Sequence, residues 1–171
     1  MTELPAHRVA GKKAFVTGAA GGLGAAIARM LARHGARVFL TDIDEGGVRA
    51  VAESINAECG HRVAWAAPQN VRDEERWQAV LAEADAAMGG LSVLVNNAGI
   101  GALGGVESLT PKEWARVMGV NVDAVYLGCK YALPLLKRHQ PAAIITSPRW
   151  PPSRPTLTTA STTPPRPRWP R

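Results

Sequence analysis

Residues 17–24 read TGAAGGLG, a glycine-rich loop between an apolar run and a segment with apolar residues at helical spacing. Gly18, Gly22 and Gly24 have no Cβ, so they permit positive φ and allow the backbone to approach a pyrophosphate at the N-terminus of the following helix. The loop therefore predicts a dinucleotide site. The alternative is a glycine-rich turn from strand to helix that binds no ligand.

An acidic residue supports the first interpretation. Asp42 closes the apolar run 37–41, at the distance of about 20 residues that is typical of dinucleotide-binding units. A carboxylate at this point accepts hydrogen bonds from the ribose hydroxyls of adenosine and repels a 2′-phosphate. The predicted cofactor is therefore NAD, in preference to NADP.

The elements that must position these residues alternate strictly along the chain. Hydrophobic patterning predicts five strands and four helices, and it places Thr110 as an N-cap before Pro111 and Glu113 in the first turn of the last helix. The predicted strands are 13–17, 37–41, 62–66, 91–95 and 142–146; the predicted helices run from 22 to Gly35, over 45–58 and 73–88, and from Thr110 toward Arg138. Such alternation predicts an α/β fold, a doubly wound, Rossmann-like parallel sheet with ligands at the carboxyl ends of the strands.

Polar residues follow these strands where a ligand would lie. Asn70-Val71 follows the third strand, NNAGI at 96–100 follows the fourth, and Asn121 lies inside the long helix. Together with TGAAGGLG and Asp42, these residues resemble the short-chain dehydrogenase/reductase family over residues 10–147.

The resemblance implies a role for each matching residue. The residues that the resemblance implies around the pyrophosphate are Thr17, Gly18, Gly22, Leu23 and Gly24, and Asp42 is implied to hold the adenosine ribose. Asn70 and Val71 are implied to flank the adenine. The residues implied to line the nicotinamide end of the cleft are Asn97, Ala98 and Gly99. Asn70 stands where the family usually has an aspartate. Asn121 matches the asparagine that, in the family, helps to hold a water in a proton relay. The alternative is that Asn121 is a polar helical side chain that only forms hydrogen bonds with the backbone.

The resemblance also implies an activity, hydride transfer between NAD(H) and a small-molecule alcohol or ketone, in homo-oligomeric relatives. In the family, a serine and a Tyr-x-x-x-Lys pair on the helix after the fifth strand move the proton. The one match in this chain, Tyr126 to Lys130, precedes that strand, so we expect Tyr126 to be a packing residue and Lys130 to lie at the surface. The family's Ser, Tyr and Lys are therefore absent, only Asn121 remains of the catalytic set, and the chain as written is expected to be inactive. A dinucleotide-binding protein without catalysis remains the alternative.

The character of the sequence changes after Ser147. Residues 148–171 contain eight prolines and no acid, which is typical of a disordered tail that follows a Rossmann-like domain over 1–147. A single lost base near Ser147 would explain the change, because a back-translation in the shifted frame places serine at Arg149, tyrosine at Thr162 and lysine at Arg166. The family has the same separations. Sequencing the coding DNA tests this hypothesis. The alternative is an authentic tail whose P-x-x-P spacings act as an interaction segment.

A C-terminally incomplete fold has consequences for packing. We expect it to leave apolar faces of the long helix and the fifth strand uncovered and to hinder normal assembly.

Composition excludes several function classes. The tail's five arginines account for all but one unit of the net charge of +6, so nothing indicates a nucleic-acid-binding face. No apolar stretch is long enough to span a bilayer or to act as a signal peptide, which predicts a cytoplasmic protein without a membrane partner. Cys59 and Cys129 lack metal-ligand spacing, so we expect reduced packing residues and no metal site.

Overall fold

A computed structural model of the chain describes residues 7–102 and 107–147, and the predicted tail at 148–171 lies outside the described residues. Strands and helices alternate as predicted. The strands are β1 (Lys13–Thr17), β2 (Arg37–Asp42), β3 (Ala64–Pro68), β4 (Val93–Asn96) and β5 (Ala143–Thr146); the helices are α1 (Gly22–Arg33), α2 (Glu45–Cys59), α3 (Glu74–Met88), α4 (Pro111–Met118) and α5 (Ala124–Arg138).

The five strands form one parallel sheet in the order β3-β2-β1-β4-β5. The strand order reverses between β1 and β4, which is where the doubly wound fold opens a crevice at the carboxyl ends of the strands. The predicted fold class is therefore confirmed. The topology also places the ends of β1, β2, β3 and β4 at one edge of the sheet.

Apolar residues cover both faces of the sheet. On one face α3 and α5 pack over Phe15 and Phe39, whose rings stack with centroids 5.8 Å apart, and Trp77 of α3 lies 5.9 Å from Phe15. On the other face α1 and α2 cover Val16, Leu40 and their neighbours. Because alternate residues of a strand point to opposite faces, the continuous apolar runs of β1 and β2 supply both layers.

Side-chain caps fix where three helices begin. Asp44 accepts a hydrogen bond from the Gly47 amide at α2, Asp73 accepts one from the Arg76 amide at α3, and Thr110 forms the predicted cap of α4 with Glu113 completing a capping box. Each cap satisfies backbone donors that a helix N-terminus otherwise leaves unpaired. Helix α1 differs, because its N-cap residue is Gly21, which has no side chain to cap the helix.

Three predicted elements differ from the structure. The third and fourth strands are predicted at 62–66 and 91–95, whereas β3 is Ala64–Pro68 and β4 is Val93–Asn96. The Asn56 side chain accepts from the Val63 and Ala64 amides and donates to the Ala64 carbonyl, so a tertiary contact holds the chain just where the strand begins. The single long helix is in fact α4 and α5 joined by a π-helical turn, Gly119–Asp123.

The fifth strand and part of the long helix expose apolar side chains, as expected. Ile144 and Ile145 of β5 are 40% and 48% exposed, and Leu133 of α5 is 42% exposed. Among the described residues no helix has the length and apolar character needed to cross a membrane. The same residues contain no group of His, Cys, Asp and Glu side chains that could hold a metal ion, and Cys59 and Cys129 are free thiols in helices.

Candidate functional site

A cavity of about 340 Å³ opens at the carboxyl ends of the strands, within the size range of small-molecule sites. It is lined by the glycine loop, the end of β2, the residues after β3 and the residues after β4. The lining residues are Gly18, Gly21, Gly22, Leu23, Gly24, Asp42, Ile43, Gln69, Asn70, Val71, Asn97, Ala98, Gly99, Ile100 and Val120. Every predicted cofactor-binding residue except Thr17 is among them.

The glycines of the loop divide into two kinds. An added Cβ at Gly24 would lie 2.2 Å from the Gly18 carbonyl oxygen, so this glycine lets α1 pack against the end of β1. Gly22 has a φ of +54°, and a Cβ there or at Gly21 would meet no atom within 4 Å. The loop therefore leaves open space in front of the uncapped N-terminus of α1, where the helix dipole favours a negative group.

Asp42 links the glycine loop to the turn that follows β2. Its Oδ2 accepts a hydrogen bond from the Ala20 amide at 3.0 Å, and its Oδ1 accepts one from the Asp44 amide at 3.1 Å. The carboxylate is thus held in a fixed orientation at the cavity wall. Among the described lining residues it is the only titratable side chain.

Thr17 lies beneath the cavity and joins β1 to the segment after β4. Its Oγ1 accepts hydrogen bonds from the Asn97 and Ala98 amides, both at 3.0 Å. The Asn97 side chain donates in return to the carbonyls of Thr17 and Gly18, at 2.9 and 3.0 Å. These bonds hold the two strand ends together across the point where the strand order reverses.

Asn121 lies in the π-helical turn and contacts the loop after β4. Its Oδ1 accepts from the Ile100 amide and its Nδ2 donates to the Ile100 carbonyl, each at 2.9 Å. Asn121 does not itself line the cavity, but its neighbour Val120 and its partner Ile100 do. Such π turns are frequent at functional sites, and this one positions a cavity wall.

The residues after β3 form the far end of the cavity. The Asn70 Oδ1 accepts from the Arg72 amide at 3.1 Å, while Gln69 is 3% exposed and both polar atoms of its side chain lack a hydrogen-bond partner among the described residues. The predicted set omits Gln69 and Ile43, as well as Gly21, Ile100 and Val120. The sequence signal for Gln69 and Ile43 is their adjacency to Asn70 and Asp42.

The tyrosine–lysine pair of α5 lies away from the cavity. Tyr126 is 61% exposed, so its predicted packing role is wrong: it falls outside the buried stripe of α5, which includes Leu127 and Ala132. Lys130 is at the surface, as predicted, and donates to Glu74 at 2.7 Å. This bond, followed by the bond to Tyr131, raises the pKa of Lys130 above its ordinary value.

Several known proteins are similar to this chain in sequence. The family model described as short chain dehydrogenase matches residues 12–147. The chain is 44% identical to trans-4-hydroxycyclohexanecarboxylate dehydrogenase of Sinomonas cyclohexanicum, over 76% of the chain and 52% of that protein. It is 34% identical to 3-beta-hydroxysteroid dehydrogenase of Comamonas testosteroni, over 77% and 50%. The chain thus spans about half the length of the curated relatives it matches.

A solved structure extends the comparison to the fold. The crystal structure of 3-ketoacyl-(acyl-carrier-protein) reductase from Brucella melitensis complexed with NADH superposes with a TM-score of 0.75 at 34% identity. The match covers 80% of this chain and 56% of that one.

Proposed function

Because the chain belongs to the short-chain dehydrogenase family, we propose that its cavity binds a nicotinamide adenine dinucleotide. One observation carries the proposal: the uncapped N-terminus of α1 and the carboxylate of Asp42 face the same cavity. The open space beside Gly21 and Gly22 fits a pyrophosphate that approaches backbone closely. When bound, the dinucleotide supplies the hydride acceptor or donor for an alcohol or a ketone.

The proposed roles follow the cavity from end to end. The loop residues and the amides of the first turn of α1 bind the pyrophosphate, and Asp42 binds the adenosine ribose. Asn70 and Val71 flank the base, and Asn97, Ala98 and Gly99 bind the nicotinamide end. The hydroxyl of Thr17 positions Asn97 and Ala98 by accepting hydrogen bonds from their backbone amides. The loop residues with a proposed contact are Gly18, Gly22, Leu23 and Gly24.

We further propose a preference for NAD over NADP. Asp42 is held in place by two backbone amides, so it cannot easily turn away from a 2′-phosphate. Two like charges 4 Å apart repel by about 1 kcal/mol in water and about 4 kcal/mol at an effective dielectric constant of 20. NADPH should therefore bind at least about fivefold more weakly than NADH.

Fluorescence titration with the two reduced cofactors tests both proposals. Asp42→Asn removes the charge and keeps one of the two oxygens that accept from backbone amides, and it should bring the ratio of the two Kd values to within about twofold. Glu45→Gln removes one charge at a nearby exposed position outside the cavity and serves as the matched control. Equal Kd values in the unaltered chain would refute the preference, and no binding of either cofactor would refute the cavity's proposed role.

For the activity, we propose that the 171 residues bind the dinucleotide but do not transfer hydride by themselves. Proton transfer to or from the substrate oxygen needs a positioned acid or base. Tyr126 and Tyr131 are the chain's two tyrosines; neither lines the cavity, and Tyr131 donates to Glu74. The role of Asn121 in a proton relay stays a prediction. Oxidation of a panel of secondary alcohols is the test. Turnover above the background rate would overturn the proposal, and its loss in Tyr126→Phe would assign the proton transfer to that tyrosine.

A further inference from the structure

Gln69 has a buried side-chain amide with unused hydrogen-bonding capacity. The residue is 3% exposed and lines the cavity, and neither Oε1 nor Nε2 has a partner among the described residues. Buried polar groups are nearly always paired, because an unpaired one loses its hydration without compensation. A glutamine that keeps two such atoms at a cavity wall requires a partner that the described residues do not supply.

Backbone pairing places Gln69 beside Asp42 at the cavity wall. The backbone N–H of Gln69 donates to the Asp42 carbonyl at 2.7 Å, which continues the pairing of β3 with β2 by one residue. The neighbouring polar side chains already have partners, since Asp42 accepts from Ala20 and Asp44 and Asn70 accepts from Arg72. Of these three described side chains, Gln69 is therefore the one that still has both a hydrogen-bond donor and an acceptor available.

We propose that Gln69 is a specificity-determining residue for the base of the bound dinucleotide. A carboxamide offers one acceptor and a donor side by side, and this pair matches the 6-amino group and N7 of adenine. In this arrangement Oε1 accepts from the 6-amino group and Nε2 donates to N7. Both polar atoms are buried in the wall, so this contact requires a rotamer change that turns the Gln69 amide into the cavity, a change that is common at binding sites. The inference rests on the proposed function, because it requires that a dinucleotide binds in this cavity.

The test is the affinity of the full chain for two reduced dinucleotides that differ only in the base. NADH carries adenine, and its deamino analogue carries hypoxanthine, which has an oxygen acceptor in place of the 6-amino donor. Fluorescence titration of the unaltered chain should give a Kd for NADH about tenfold lower than that for the analogue, as expected for a matched bidentate contact.

Gln69→Met keeps the length of the side chain and removes both polar atoms. It should reduce the tenfold preference to within about twofold, because only the base contact is lost. It should also raise the Tm of the ligand-free protein by at least about 4 °C, since two unpaired buried groups disappear. Gln78→Met is the matched control, because Gln78 is exposed on α3 and lies outside the cavity. It should leave the preference unchanged.

The outcomes separate the two proposals. If neither dinucleotide binds, the proposed function fails and this inference fails with it. If both bind the unaltered chain equally, or if Gln69→Met keeps the preference, the base contact is refuted while dinucleotide binding stands. A fall in Tm for Gln69→Met would show that the amide has a structural partner such as an ordered water, and would also overturn the proposal. Should Gln69→Met fail to fold, Gln69→Leu and the ratio for the unaltered chain decide the question.

Discussion

Replacing Gly24 with alanine should destabilise the protein through a clash inside the site. The new Cβ would lie 2.2 Å from the Gly18 carbonyl oxygen and 2.6 Å from the Asn97 Nδ2. Overpacking of this kind costs about 1–3 kcal/mol. The two hydrogen bonds of Asn97 to the end of β1, if broken, cost about 0.5–1.5 kcal/mol each. The higher helix propensity of alanine offsets at most about 1 kcal/mol.

The net loss is therefore about 3 kcal/mol, and a domain of this size loses about 2–4 °C of Tm per kcal/mol. Thermal unfolding followed by circular dichroism should show a Tm that is about 6–12 °C lower for Gly24→Ala. Gly21→Ala is the matched control, because its Cβ meets no atom within 4 Å. It should keep the Tm but weaken NADH binding, since the methyl group enters the space proposed for the pyrophosphate. A Tm for Gly24→Ala within about 2 °C of the unaltered chain would refute the reasoning.

Three further predictions concern local contacts. Hydrogen bonds from Lys130 and Tyr131 lower the pKa of Glu74 below its ordinary 4.5. The ionised carboxylate therefore stabilises the fold above that pH, and this stabilisation is lost as the pH falls further. Glu74→Gln should make the Tm less sensitive to pH between about 5 and 3, and an unchanged dependence of Tm on pH would contradict this. Thr110→Ala removes the capping box of α4 and should lower the free energy of unfolding by about 1 kcal/mol in a denaturant titration. Asn121→Ala removes both bonds to Ile100 and should lower it by about 1–3 kcal/mol, whereas a neutral result would mean that other contacts hold this loop.

Local sequence signals were enough to predict most of the fold. The first two strands and α1 have strong apolar patterns bounded by glycines, and Thr110 with Glu113 encodes the start of α4, so their bounds are confirmed. The start of β3 depends on Asn56, a residue from the preceding helix, and no local pattern reveals that contact. The π-helical turn is equally hidden, because its bonds to Ile100 join segments that are distant in the chain.

The candidate site was predicted less completely. Glycines and polar residues at strand ends identified most of the cavity wall, because the sheet topology brings those ends together. The unpaired side-chain amide of Gln69 has no sequence signature, since its hydrogen bonding depends on which residues the fold brings next to it. The exposure of Tyr126 was missed for a related reason: the burial of a helical residue depends on which face its neighbours cover.

We expect the hydrogen bonds between Thr17 and Asn97 to slow the exchange of amide protons at the floor of the cavity. The amides of Asn97 and Ala98 lie beyond the end of β4, where backbone protons ordinarily exchange through local fraying. Both donate to the hydroxyl of Thr17, which is 2% exposed. Deuterium should therefore reach them only when β1 and β4 separate, so this part of the cavity opens and closes with the sheet as one cooperative unit.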